Sequence, residues 1–272
     1  PGEMVHRTTD PERFLKVDIT ASLSYRLAEP ADVLLAIEAI PMDDQRLVTD
    51  LLTVTGTGPM TPVPGIDGLG QRSWLYVEGA LDILYTATVE VERPPLDIAG
   101  LNPPPHPQLP SEFIPYLMPS RYAPSDQLET FVRTRFDAPD AGSLILEMRD
   151  WIHQSIAYVS GSSGFTTTAS DTFVSRRGVC RDFAHLLIAF ARAADIPARM
   201  VSAYALGLEP PDFHAVVEVY LGDRWHLVDP TRLVPETHLV RIGVGRDASD
   251  VGFMTIFGEA EMLSQSVIVT QA

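Results

Sequence analysis

The stretch Arg177-Gly178-Val179-Cys180-Arg181-Asp182-Phe183-Ala184-His185 decides how this 272-residue chain is read. It carries the single cysteine of the sequence in the predicted first turn of a helix, just behind a glycine able to take unusual backbone angles. Free amide donors and the macrodipole at a helix N-terminus stabilise an anion, and Arg177 and Arg181 flank the same sulfur, so the position favours the nucleophilic thiolate. Phe183, Leu186, Leu187 and Phe190 follow at i, i+3, i+4 and i+7, an apolar stripe that seats the helix in a core and makes its first turn a rigid mount. A lone cysteine is equally a small apolar core residue by type, so a partner must decide between the two readings.

Partners for a nucleophilic thiol are a base and a group that orients the base. The helix over 179–194 is stopped at Asp195-Ile196-Pro197, and strands follow at 199–206, 214–221 and 225–228. With Gly222-Asp223 as the turn, the last two are antiparallel neighbours, which brings His214 and Asp229 within a rung or two of each other. His226 falls on the face opposite Asp229 by strand alternation. Cysteine on a helix, then histidine and aspartate on successive strands, follows the Cys-His-Asp/Asn logic of papain-like sites. Zinc on Cys180, His185, His214 and Asp229 is disfavoured, because residues 180 and 185 point to different helix faces and no paired cysteines exist. Gly243-Val244-Gly245-Arg246-Asp247 superficially suggests a nucleotide loop but lacks the third glycine and the following helix, so no cofactor is expected.

Upstream, Leu144, Met148, Trp151 and Ile152 recur at helical spacing behind Ser143, the expected N-cap. Earlier still the period is two: Val17, Ile19, Ala21 and Leu23 alternate with Asp18, Thr20, Ser22 and Ser24, and residues 52–55 and 81–91 behave alike. Several such strands predict an antiparallel β-sandwich over 1–98. Ten of the 23 prolines lie between Pro94 and Pro124, so 99–124 is expected to be a stiff connector. The third segment, 125–272, has helices first and strands later, including tail strands at 253–257 and 265–270. The fold class is therefore α+β.

Twenty Lys and Arg against 36 Asp and Glu give a net charge of −16, which excludes the basic footprint of a nucleic-acid binder and predicts repulsion from anionic membranes. The opening residues lack an apolar signal core and a lone cysteine cannot form an intrachain disulfide, so the expected location is cytoplasmic. The expected partner is a protein or peptide substrate. Arg176, Arg177 and Arg181 are read as a solvated basic face.

Thr168-Ala169-Ser170-Asp171-Thr172, the Cys180 stretch, Ile196-Pro197-Ala198-Arg199, Asp212-Phe213-His214-Ala215 and Trp225-His226-Leu227-Val228-Asp229-Pro230-Thr231 arrive in order. Over about 115–240 this resembles the transglutaminase-like core of bacterial proteins, and the first hundred residues more weakly resemble the β-sandwich that often precedes it. The resemblance implies Cys180 as nucleophile, His214 as base and acid, and Asp229 as the residue holding the imidazole, with the nucleophile's helix packed on an antiparallel sheet. It departs at Val216, where the family commonly has Trp, which predicts a groove with less aromatic surface. This core hosts transglutaminases, peptidases, amidases and inactive modules. Excluding water in favour of an amine needs aromatic walls. Tyr158, Phe165, Tyr204 and Phe213 stand near the motifs without defining a tunnel, so the expectation is a hydrolase of peptide or related amide bonds acting through a thioester. The alternatives are a protein-glutamine γ-glutamyltransferase and a catalytically silent binding module.

Overall fold

Alternation builds the first half of the molecule. The computed structural model describes residues 15–272; residues 1–14 of the expected sandwich, with the segment read for a signal core, lie outside the described residues. Strands β1 (Leu15–Leu27), β2 (Ala31–Leu35), β3 (Gln45–Thr57), β4 (Thr61–Pro64) and β5 (Gln71–Val91) form one continuous antiparallel sheet. The odd-numbered residues of β1 from Val17 to Leu23 are buried, as the period of two requires. The early part of β5 pairs with β2 and β4, and the later part with β1 and β3. Leu75 and Val77 share one core with Leu81, Ile83 and Tyr85, so the expected antiparallel sandwich is built by one sheet that curls over on itself. At the curl, the backbone of β3 passes the carbonyl of Ala80 so closely that a Cβ on Gly56 would lie 1.8 Å from it. Gly56 also sits at φ +85°, beside the break in register between Thr55 and Thr57.

The proline-rich connector carries only short 3-10 turns, as expected of residues that lack donors. It is also packed down: Phe113 and Tyr116 set their rings against Trp225, with centroids 5.2 and 5.5 Å apart.

Helices follow: α1 (Glu129–Arg135), α2 (Ala141–Ser155), then β6 (Ala157–Tyr158), α3 (Ala169–Ser175), β7 (Arg177–Gly178) and α4 (Cys180–Ala193). The N-cap of α2 is Asp140, whose carboxylate accepts the Ser143 amide at 2.8 Å, and not Ser143, whose own hydroxyl donates to Asp140. An ionised acceptor outcompetes a hydroxyl for free helix amides. Strands β8 (Ala198–Ala205), β9 (His214–Leu221), β10 (Arg224–Val228) and β11 (Leu239–Gly245) form a second antiparallel sheet in the order β10-β9-β8-β11. Helix α4 buries Phe183, Leu187 and Phe190 in a core shared with Met200, Val217 and Val219 of that sheet. Gly243 and Gly245 lie within β11, which removes them from any loop role.

After the one-turn α5 (Ala248–Val251), the last strands β12 (Met254–Ile256) and β13 (Ala260–Gln271) return to the first sheet. Strand β12 pairs with β2, and β13 runs antiparallel to β1 from Leu27 to Val17. The tail read as part of the 125–272 core is therefore two strands of the N-terminal sheet. Their strand character is local, but their partners are more than 200 residues away. No helix among the described residues is long and apolar enough to cross a membrane.

Candidate active site

Cys180 is the first residue of α4. The helix starts there because the Asp182 carboxylate turns back and accepts the amide of Val179 at 2.8 Å. Asp182 is fully buried, and Gly178 makes room for it: a Cβ at 178 would come within 2.7 Å of the Asp182 Cβ. Gly178 is thus needed for space, not for the unusual backbone angles expected of it; its φ lies outside the positive range. Cys180 as a residue is half-buried.

The flanking arginines have separate tasks. Arg181 donates to the Gly164 carbonyl at 2.7 Å and ties the 159–168 segment to the start of the helix. Arg176 takes a left-handed backbone at the end of α3 and lays its guanidinium over Phe173 and Trp151, 4.5 and 4.8 Å from the ring centroids. Arg177 is exposed. The expected solvated basic face is thereby reduced to one of three residues.

His214 opens β9, and the turn at Gly222-Asp223 has φ of +54° and +62°, the pair of positive values that a two-residue type I′ hairpin demands. The register Val217 to Val228 then leaves Asp229 just past β10, facing His214. His214 Nε2 and Asp229 Oδ2 are 3.0 Å apart with both side chains buried. The other Asp229 oxygen accepts the Thr231 amide at 2.9 Å and its hydroxyl at 2.7 Å. Burial works against the Asp229 carboxylate, but the His214 hydrogen bond and charge, followed by Thr231, hold it below the usual range. Burial likewise works against the imidazolium of His214; the hydrogen bond to Asp229, then the interaction with the Cys180 side chain, reverse this and raise its pKa to about 10. His214 Nδ1 is buried without a well-formed hydrogen bond and is the ring nitrogen left for the sulfur, a looser contact than the one to Asp229. The structure thus brings Cys180, His214 and Asp229 together.

His226 is spent elsewhere, with Nε2 3.0 Å from the Leu221 carbonyl oxygen. His185 stacks on Tyr122 and accepts the Ala248 amide through Nε2 at 3.2 Å. Val216 is fully buried in an apolar cluster with Val201, Leu227 and Leu239. The departure at 216 therefore alters packing beneath the sheet and not the groove surface expected. Of the four aromatics near the motifs, Tyr204 and Phe213 are committed to packing between the sheets, Tyr204 donating to the Ile37 carbonyl and Phe213 stacking on Phe253. Phe165 is 89% exposed, while Tyr158 interacts with Cys180. Sequence reasoning missed Asp182 and Thr231, although an acid three residues past an N-cap and a Thr two residues past an Asp are both local capping signals.

The chain is similar to known proteins in both sequence and fold. A family model described as the transglutaminase-like superfamily matches residues 132–230. A crystal structure described as "a Putative Cysteine Protease from Cytophaga hutchinsonii" superposes with a TM-score of 0.90 at 36% identity, covering 95% of this chain and 91% of that one. An uncharacterized protein of Mycobacterium leprae is 30% identical over 148 residues, 50% of this chain and 52% of that protein. One of Mycobacterium tuberculosis is 33% identical over 125 residues, 40% of this chain and 39% of that protein. The chain spans about half or less of the length of these two curated relatives.

Proposed function

The chain belongs to the transglutaminase-like superfamily, and from that premise we propose that it is a cysteine-dependent hydrolase of peptide or related amide bonds. The observation that carries the reading is the buried 3.0 Å contact between His214 and Asp229, with the Cys180 side chain acting on the same imidazole from the N-terminus of a helix.

In this mechanism His214 is protonated at neutral pH and pairs with the Cys180 thiolate. The sulfur attacks the carbonyl carbon, and the C=O electron pair moves onto oxygen. When that pair returns, the C–N bond breaks and the amine leaves with the imidazolium proton. Neutral His214 then takes a proton from water, which attacks the thioester; collapse breaks the C–S bond, releases the acid and regenerates the thiolate beside the imidazolium. Asp229 keeps one ring orientation throughout and offsets the charge of the imidazolium. Water is favoured as acceptor because Cys180 is only half-buried, and Tyr204 and Phe213 are spent on packing instead of walling a tunnel.

The test incubates a glutamine-containing protein with a fluorescent primary amine and follows amine incorporation and peptide release together. Release without incorporation, lost in Cys180→Ala, is the expected result. Incorporation that depends on Cys180 would make the protein a transferase. No Cys180-dependent product of either kind would make it a silent module.

A further inference from the structure

Acyl transfer at a thiol needs donors aimed at the oxygen on which charge develops, and removing one such donor costs about 100- to 1,000-fold in kcat. The Cys180 backbone amide supplies one, since the first amides of a helix have no partner within it.

The other is found across the short parallel pairing of β6 with β7. There Tyr158 aligns with Gly178, two residues before Cys180. The Ala157 amide donates to the Arg176 carbonyl at 2.9 Å and the Val159 amide to the Gly178 carbonyl at 2.9 Å, so the backbone of Tyr158 is pinned on both sides. Its ring lies 5.8 Å from that of Phe183, which sits one turn beyond Cys180 on the same face of α4. The phenol is thereby brought close enough to interact with both the backbone and the side chain of Cys180, while Tyr158 stays 45% exposed.

Resting on the reading of Cys180 as an acyl-accepting nucleophile, we propose that the Tyr158 hydroxyl is the second oxyanion donor, holding the tetrahedral oxygen together with the Cys180 amide. When the carbon–sulfur bond forms and the C=O pair moves to oxygen, the new oxyanion accepts from both the amide and the phenol O–H. The phenol keeps its proton throughout, because the leaving amine is protonated by His214. Burial, then the charge of Cys180, hold the Tyr158 phenol above its usual range at about 12, so it is neutral and able to donate across the physiological span.

The test compares Tyr158→Phe with wild type in two reactions of the same sulfur. Acylation by p-nitrophenyl acetate, read as the burst of p-nitrophenol, passes through an oxyanion; alkylation by iodoacetamide does not. Tyr158→Phe is expected to slow the burst about a hundredfold while alkylation stays within about threefold. A burst at the wild-type rate, or an equal fall in both reactions, would overturn the assignment, the second because it would show that Tyr158 merely places the sulfur. A wild type with no Cys180-dependent burst would overturn the acyl-transfer reading itself, and this inference with it.

Discussion

His214 and His185 are both buried, and their surroundings push them in opposite directions. His214 faces an anion, Asp229, and is held protonated; burial of His185 outweighs the attraction of Asp247, depressing it to about 3. Because His185 has a folded pKa below its ordinary 6.5, its contribution is complete above about pH 6.5 and drains away as pH falls, since the unfolded chain then binds the extra proton. At pH 5 the loss is about 2 kcal/mol. His214 has the opposite sign: its contribution is complete below about 6.5 and is lost as pH rises toward 10. Urea unfolding of His185→Gln at pH 7 and pH 5 is expected to show a flatter acid limb than wild type; an unchanged limb would assign acid sensitivity to other groups. In catalysis the residues of one unit are not additive, so His214→Ala should lower turnover as severely as Cys180→Ala, and Asp229→Asn should retain about a hundredfold more than either. Unchanged turnover in His214→Ala would remove that imidazole from the mechanism.

At the scale of elements, the start of α4 is where packing and chemistry meet. Asp182→Ala removes the cap and leaves the Val179 amide without its acceptor, which should cost about 1–2 kcal/mol in thermal unfolding and slow Cys180 alkylation by loosening the first turn. Stability and reactivity equal to wild type would show that the cap does not hold Cys180 in place. Helix α4 and the β9–β10 hairpin were legible because their signals are local: an apolar stripe of period 3.6, a two-residue turn, and His and Asp at strand ends. The N-cap of α2 is ambiguous in sequence because Asp140 and Ser143 are both capping types, and only the fold shows which accepts the amide. The reason for Gly178 was hidden for the same kind of cause, since the atom it avoids belongs to a side chain four residues on. Strand β11 was obscured by its glycines, which read as loop until their pairing with β8 is seen.

For the whole molecule, the two sheets are joined by charges that the sequence could not pair. Glu218 is fully buried in β9 and accepts from Arg199 Nε at 2.8 Å and Arg241 Nε at 2.6 Å. Arg199 reaches Asp67 at 2.9 Å and Arg241 reaches Asp44 at 2.8 Å, both in the N-terminal half. Each of these residues is ordinary in its local context, and their meeting depends on how the sheets stack. Glu218→Gln leaves two buried guanidiniums short of charge and should cost about 3–5 kcal/mol, a fall in Tm on the order of 10 °C; a fall under about 2 °C would show that the network does not join the halves. The return of β13 to β1 has the same character, because the sequence marks a strand without naming its neighbour. It also means that the N-terminal sheet closes only when the last residues of the chain have been added, so the two halves are expected to unfold together.

The proposed mechanism requires an ion pair between Cys180 and His214, and the most direct measurement is the rate of iodoacetamide alkylation of Cys180 in the folded protein at pH 6 and pH 9. An ordinary cysteine, with a pKa of about 8.5, reacts a few hundredfold more slowly at pH 6 than at its plateau. With the ion pair in place, the rate at pH 6 is expected within about tenfold of that at pH 9, with the advantage lost in His214→Ala. A wild-type rate that falls a few hundredfold at pH 6, and is indifferent to the residue at 214, would contradict it.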